Sequence, residues 1–409
     1  MARVAVIGAG IIGLACAHRL AREGHAVSVF DPDPEGDKCS WGNAGAIATT
    51  EVVPASVPGA LLRVPGWLLD PLGPVSLRPA HLPSMAPWLL DWVRAGRPAR
   101  VATIAAALAA LLGRVYDDLT PLLDALGLAD SLHRRGALTV YTSAAALARD
   151  ADAWALRRRH GIVCEAIGGA AARALEPALA STIAAAVFTP DWSHVSDPKA
   201  LWAALLASVR ASGVTLVAAR VADIARPGRV RLASGEEAAC DAVVLAAGAW
   251  SAALARGAGD RVLLESERGY NMTLPQPNVA LDREIIFAER HFVATPLSVG
   301  LRIGGAAEFS GLAAPPRYAR ARVLAELARA YLPDLARDGG TAWMGQRPTT
   351  PDSLPVLGPS PRRADVIYAF GHGHLGLTLA ATSARLVADC VAGRPAAVDL
   401  RPYAAGRFG

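Results

Sequence analysis

Three stretches of this chain are almost wholly apolar over the length of a strand and then break on glycine. Val4-Ala5-Val6-Ile7 runs into Gly8-Ala9-Gly10-Ile11-Ile12-Gly13, Asp241-Ala242-Val243-Val244-Leu245-Ala246-Ala247 runs into Gly248, and Val366-Ile367-Tyr368-Ala369-Phe370 runs into Gly371-His372-Gly373. Continuous apolar character marks strands buried on both faces, the type found in parallel sheets covered by helices. Residues 261 to 310 alternate instead, most clearly in Gly300-Leu301-Arg302-Ile303-Gly304-Gly305, and predict antiparallel strands; Gly136-Ala137-Leu138-Thr139-Val140-Tyr141 reads as a strand of that second sheet. Helical spacing predicts helices after Gly10, over Val101 to Leu126 with Gly127 as the stop, through Trp154 to His160, over Pro198 to Ser212 behind Asp197, over Pro316 to Tyr331, and through Leu377 to Ala392. From Glu51 to Arg100 proline interrupts every apolar run, as in Val64-Pro65-Gly66-Trp67-Leu68-Leu69-Asp70-Pro71-Leu72-Gly73-Pro74, so only short helical turns are expected there.

The pattern predicts an α/β protein: a doubly wound, Rossmann-like nucleotide domain interleaved with an α+β domain on a mostly antiparallel sheet. Residues 1–50, 198–258 and 341–409 are assigned to the first, 51–197 and 259–340 to the second. At 409 residues, 53% of them apolar, the chain has material for two cores.

The opening segment carries the first chemistry. Gly8 permits a tight turn, Gly10 lets backbone amides approach a pyrophosphate at a helix N-terminus, and Gly13 lets that helix pack on its strand. Asp31, closing the strand that ends at Phe30, is placed to accept a ribose hydroxyl. The motif alone leaves FAD and NAD open. The third glycine segment, Gly371 to Thr378, weighs toward FAD, since an NAD domain rarely needs a second loop of this kind, whose amides and helix dipole can stabilise negative charge at a flavin's reduced pyrimidine end; an NAD-dependent dehydrogenase is the rival reading.

Charge and cysteine content narrow the class. The net charge of +5 comes without a long Lys/Arg run, so no nucleic-acid footprint is read. Five scattered cysteines without a C-x-x-C pair indicate neither a disulfide framework nor a metal site, and a reducing cytoplasm fits best. No apolar stretch is read as reaching the roughly twenty residues that span a bilayer. Trp67, Trp88 and Trp92 either pack a lid or domain interface or dip into a membrane surface.

Ser40-Trp41-Gly42-Asn43-Ala44-Gly45, Glu267-Arg268-Gly269-Tyr270, Arg302-Ile303-Gly304-Gly305 with Glu308, Gly345-Gln346-Arg347-Pro348 through Gly358, and the glycine-histidine loop together resemble the FAD-dependent D-amino acid oxidase superfamily. The likeness runs nearly end to end and is strongest to its D-amino acid dehydrogenase branch. The tryptophan-proline stretch, the second histidine of the loop and the ending Gly406-Arg407-Phe408-Gly409 look more like the glyphosate oxidoreductase type. Where D-amino acid dehydrogenases tend to have threonine and tryptophan, this chain has His374 and Leu377, so its pocket is expected to differ from the D-alanine type.

The resemblance implies non-covalent FAD held by Gly8, Ala9, Gly10, Ile12, Gly13 and Asp31, by Ser40, Asn43, Ala44 and Gly45, by Val221 at the adenine, by Ala247 and Gly248, and by Gly345, Arg347, Gly371, Gly373, His374, Leu375, Gly376, Leu377 and Thr378. It makes Arg347 the clamp on a substrate carboxylate, which its planar fork fits. Tyr270 either covers that carboxylate or faces the core, and Arg302 either holds an acidic group or, the preferred reading, pairs with Glu308. His374 completes the catalytic candidates, although both histidines are read as shaping the flavin edge, since hydride transfer needs only a neutral amine in line. The implied reaction is oxidation of the C–N bond of a D-amino acid, D-proline and D-hydroxyproline included, to an imine that hydrolyses to a keto acid. N-substituted glycines are the alternative substrates, and a flavin-carrying subunit of an electron-transfer complex is the alternative role. A quinone or other carrier, or oxygen, is the implied acceptor, with peripheral contact at the inner membrane face.

Overall fold

The structure, a computed structural model, describes residues 1–70 and 73–408. Pro71 and Leu72 of the proline-rich run and Gly409 of the C-terminal run lie outside the described residues.

The three apolar runs become neighbouring strands. A six-stranded sheet has the order Thr215–Ala218, Ala26–Asp31, Arg3–Ile7, Ala242–Leu245, Val366–Phe370, Val356–Pro359, and every pairing is parallel except the last. The first helix, Ile11–Arg22, packs between this sheet and the helices Pro198–Ala211 and Ala380–Val391. Val6, Val29, Val244 and Ala369 point into one core, while Ala5, Phe30, Val243 and Tyr368 point into the other. A strand with a core on each face must be apolar at every position, which accounts for its unbroken sequence. Asp197 caps the Pro198–Ala211 helix by accepting the Lys199 N–H at 2.8 Å.

The second sheet has nine strands in the order Thr341–Thr349, Glu265–Leu274, Gly300–Phe309, Phe292–Leu297, Glu284–Phe287, Ala137–Tyr141, Ala185–Thr189, Glu165–Gly168, with Val75–Leu77 added beside Gly300–Phe309. It is mostly antiparallel. The helix Ala319–Ala328 covers one face. The other face turns toward the six-stranded sheet, and the space between the two sheets is the cavity described below.

Three expectations need correction. Residues 341–349 were assigned to the nucleotide domain, but they form the edge strand of the nine-stranded sheet, hydrogen-bonded along Glu265–Leu274. Within residues 51–100, proline does not prevent a helix over Leu82–Ala95: Pro83 sits in the first turn, where the amides lack helical partners in any case, and Pro87 inside the helix removes one bond without ending it. The expected helix from Val101 to Leu126 is two helices, Pro98–Leu112 and Val115–Ala125, broken at Gly113.

Taken end to end, Pro98–Ala125 is long and apolar enough to cross a membrane, contrary to the sequence expectation. Here its apolar side is spent inside the protein: Ile104, Leu108, Leu111, Val115, Leu119 and Leu123 join the core of the Ile11–Arg22 and Ala380–Val391 helices. This pair of helices therefore packs with the nucleotide domain, although it lies in the segment assigned to the other. Leu111 is fully enclosed there. Leu111→Ala should lower stability by about 2–5 kcal/mol, as cavity formation in a tight core does, read by denaturant titration of the cofactor-free protein.

Candidate functional site: a cofactor cavity between two sheets

The glycine fingerprint divides its work as its geometry requires. Gly8 has φ +107°, and a Cβ there would stand 2.5 Å from the Ala246 carbonyl of the neighbouring strand. At Gly13 a Cβ would stand 1.9 Å from the Gly8 carbonyl, so helix and turn touch backbone to backbone. At Gly10 a Cβ would meet nothing within 4 Å. Gly10 is the N-cap of the first helix, without a capping side chain and without an acidic residue in the first turn, so the positive helix end faces open space.

A cavity of about 1380 Å³ begins here and runs to the nine-stranded sheet. At one end it is bordered by Gly8, Gly10, Ile12, Asp31 and Val221, and along its length by Ser40, Asn43, Ala44, Ala247 and Gly248. The far end is bordered by Gly345, Arg347, Gly373, His374, Gly376 and Leu377. Three regions far apart in sequence thus share one wall. Ala9, Gly13, Gly45, Arg302, Gly371, Leu375 and Thr378, all expected at the cofactor or substrate, do not line it.

Asp31 accepts the Ala9 amide at 2.8 Å, the Asp33 amide at 2.9 Å and the Lys38 ammonium at 3.0 Å. A carboxylate has about four acceptor positions, so one stays available to a ribose hydroxyl.

The loop 40–45 is held from both domains. Arg302, nearly buried, donates from Nη1 to the carbonyls of Trp41 at 3.2 Å and Asn43 at 2.6 Å, and from Nε to Thr273 Oγ1 at 3.0 Å. Burial lowers the pKa of its guanidinium from the usual value. Asn271 donates to the carbonyl between these two, Gly42, at 2.6 Å. From the other side the Thr378 hydroxyl accepts the Ala48 amide at 3.0 Å and donates to the Ala46 carbonyl. Arg302 therefore does not pair with Glu308, and it does not border the cavity. The loop's carbonyls were stronger claimants, because a buried carbonyl without a donor is costly.

Tyr270 resolves the other way from the clamp. Along a strand alternate side chains share a face. Glu267, Gly269 and Asn271 face the cavity, while Arg268, Tyr270 and Met272 face the covering helix. The Tyr270 hydroxyl donates to Glu308 and receives the Arg317 amide at 3.0 Å. Burial, then the Glu308 hydrogen bond, raises its pKa.

In the third glycine segment the long helix starts at Ala380, after a turn over Gly373–Leu375, so the expected helix start at Leu377 moves by one turn. His372 is buried and bonded through Nε2 to Ser383 Oγ at 2.8 Å, and burial pushes its pKa down to about 3. Neutral and bonded to Ser383, it supports the turn. His374 is exposed and borders the cavity.

Arg347 lies in the Thr341–Thr349 strand with its guanidinium flat on Gly269, where a Cβ would come within 2.3 Å of Nη2. Nη1 donates to Glu267 Oε1 at 2.7 Å and to the Ala306 carbonyl at 3.3 Å. Nε and Nη2 have no partner among the described residues. Glu267, Asn271 and Cys39 border the cavity as well, although no motif in the sequence marks a role for them. The strand alternation through Glu267, Gly269 and Asn271 was the available signal for the first two. Cys39 borders the cavity next to Gly345.

A nucleotide fold with a second sheet closing over it defines the class of a two-domain dinucleotide-dependent oxidoreductase. The FAD dependent oxidoreductase (DAO) family model matches residues 3–390, and the chain belongs to that family. It is 35% identical to a D-amino-acid oxidase of Bradyrhizobium diazoefficiens, over 99% of this chain and 98% of that one. It is 34% identical to D-amino acid dehydrogenase 2 of Ralstonia nicotianae, over 99% and 100%. In fold it is similar to the glycine oxidase of Geobacillus kaustophilus, with a TM-score of 0.74 at 23% identity over 99% and 98% of the chains. The iminodiacetate oxidase of Chelativorans sp. BNC1 gives 0.74 at 22% over 98% of both.

The cofactor is FAD, and the residues present fit it. Besides the open Gly10 cradle, the Asn271 Oδ1 atom is buried without a partner. The amides of Gly42 and Ala44 also lack partners among the described residues, in a loop whose carbonyls face the opposite sheet.

Two glycine substitutions should separate folding from cofactor binding. Gly13→Ala forces backbone apart and should cost about 1–3 kcal/mol or more of apoprotein stability. Gly10→Ala should leave apoprotein stability within about 0.5 kcal/mol yet reduce FAD occupancy, measured as flavin absorbance per chain after gel filtration. Arg302→Met should leave two carbonyls unpaired, lower stability by about 1–3 kcal/mol and speed FAD loss on dilution.

Proposed function

We propose that the protein oxidises the C–N bond of a D-amino acid whose carboxylate is held by Arg347. The observation that carries this reading is the state of that guanidinium: fixed flat against Gly269, with its Nε and Nη2 donors unpartnered at the cavity wall. A planar edge with two parallel donors matches a carboxylate in a bidentate pair. The names of the relatives sharing 34–35% of their residues over the whole length support an amino acid in the D series.

When bound, FAD supplies a two-electron acceptor for the hydride leaving the substrate carbon. The chain's own residues do the rest. Arg347 fixes one end of the substrate, and the apolar wall of Trp67, Met85, Trp88 and Trp92 keeps water from the other. Trp88 is itself locked by donating from Nε1 to the Thr349 carbonyl at 3.0 Å. The imine formed is hydrolysed by water to a keto acid and ammonia, or to a keto acid and an amine from a secondary amine.

For the electron acceptor the reading is a quinone. The helices over 60–69 and 82–95 turn their tryptophans to the cavity and expose Leu61, Leu82, Leu90 and Val93. That arrangement supports an apolar carrier, and contact with a membrane surface through these leucines, rather than through the tryptophans themselves.

Anaerobic mixing with a panel of D-amino acids, D-proline and N-alkyl glycines should bleach the flavin fastest with members of the D series, and reoxidation should be faster with a quinone than with oxygen. Arg347→Ala should keep its FAD but lose about 2–5 kcal/mol of substrate affinity, since one partner of a charge pair is removed. Unchanged reduction by the panel in that variant would rule out the clamp.

A further inference from the structure

Glu267 stands directly across from Arg347 in the pairing of the Glu265–Leu274 and Thr341–Thr349 strands. Its Oε1 takes one guanidinium nitrogen at 2.7 Å, and its Oε2 accepts the Thr349 hydroxyl at 3.1 Å. Both side chains border the cavity and keep partial access to it, 18% for Glu267 and 25% for Arg347. A carboxylate that served only to fix an arginine could sit behind the sheet. This one is on the cavity face, beside the same guanidinium whose other edge is free.

An α-amino acid brings its cation and its anion on adjacent carbons. A site with a free guanidinium edge and a carboxylate next to it is complementary to both at once. On the basis of the amino acid reading above, we propose that Glu267 is the amine-binding half of the substrate site, receiving the ammonium while the Nε–Nη2 edge of Arg347 receives the carboxylate. In this position it also takes the proton whose removal makes the amine reactive. One N–H bond of the ammonium breaks, the proton goes to Glu267 Oε1, and the electron pair stays on nitrogen. That pair is then available to become the second C–N bond when the substrate carbon gives up its hydrogen with both electrons, the acceptor for which FAD would supply when bound.

Thr349 supports the assignment. Its hydroxyl holds Oε2, so the carboxylate keeps its orientation when Oε1 exchanges the arginine for the ammonium. The two strands are held in register along their length by the backbone pairing of 265–273 with 341–349, so the carboxylate and guanidinium are set by the sheet.

The test takes the D-amino acid of the panel above that bleaches the parent protein fastest and compares it with the same molecule lacking the amine, propanoate in the case of D-alanine, by flavin spectral perturbation and anaerobic reduction in the FAD-loaded protein. Glu267→Gln should bind the amino acid about tenfold more weakly, the loss of one charged contact, and its amine-free analogue more tightly, because the competing negative charge is gone. Reduction of the variant should climb with pH through the ionisation of the free amine, whereas the parent protein should be flat over that range. Glu267→Asp should recover part of the flat profile. FAD content and melting temperature of each variant report folding.

If both ligands weaken equally in Glu267→Gln, or neither changes, Glu267 only holds the arginine and the proposal fails while the D-amino acid reading stands. If the parent protein is bleached by no amino acid, the substrate reading fails and takes this inference with it.

Discussion

The cofactor cavity depends on one buried interaction, the hold of the second sheet on the loop 40–45. Arg302 and Asn271 take three consecutive carbonyls, those of Trp41, Gly42 and Asn43. Because a trans peptide directs its N–H away from its C=O, drawing the carbonyls to one sheet turns the intervening amides the other way. A positive charge buried against carbonyl dipoles is what makes the arrangement durable, since removing either side leaves buried polar groups unpaired. Thr378 performs the corresponding task from the nucleotide domain, joining a residue near the C-terminal helix to Ala46 and Ala48. The loop is thus a seam between domains that are interleaved in sequence.

Several residues with the chemistry of catalysts are spent on support. His372 is neutral and bonded to Ser383, Tyr270 is bonded to Glu308 behind the sheet, and Arg302 serves backbone. What separates them from Arg347 is that their polar atoms are taken up by partners within the protein. Alternation along Glu265–Leu274 sets this for the Tyr270 hydroxyl, and packing beside the Ala380–Val391 helix sets it for the His372 ring. Around Arg347 the cavity offers a guanidinium with a free edge, the Glu267 carboxylate beside it, exposed His374 and an apolar wall. Such groups orient a substrate, which suits a family whose cofactor carries the reactive step.

The nucleotide end was legible in sequence because its determinants are local. Gly8, Gly10 and Gly13 act within six residues, and the unbroken apolar runs name central strands wherever they fall. The substrate end was legible only in part. Arg347 stood in a recognisable motif, but that its segment forms the edge strand of the nine-stranded sheet was not readable from residues 341–349, which neither alternate cleanly nor avoid proline. Pro98–Ala125 likewise reads as one long apolar helix, and only its break at Gly113 and its neighbours show where the apolar face goes.

By itself the sequence determined the α/β class, the pyrophosphate cradle, the buried strands and the presence of a second glycine loop, all of which follow from spacing over a few residues. Tertiary structure alone decided which charged and aromatic side chains face the cavity. Glu267 and Arg347 are eighty residues apart and meet because two antiparallel strands pair in one register, and Arg302 meets Asn43 because a loop of one domain docks on the sheet of the other. Such contacts depend on long-range register and on strand faces, where a shift of one residue reverses every side chain, and no local pattern encodes that choice.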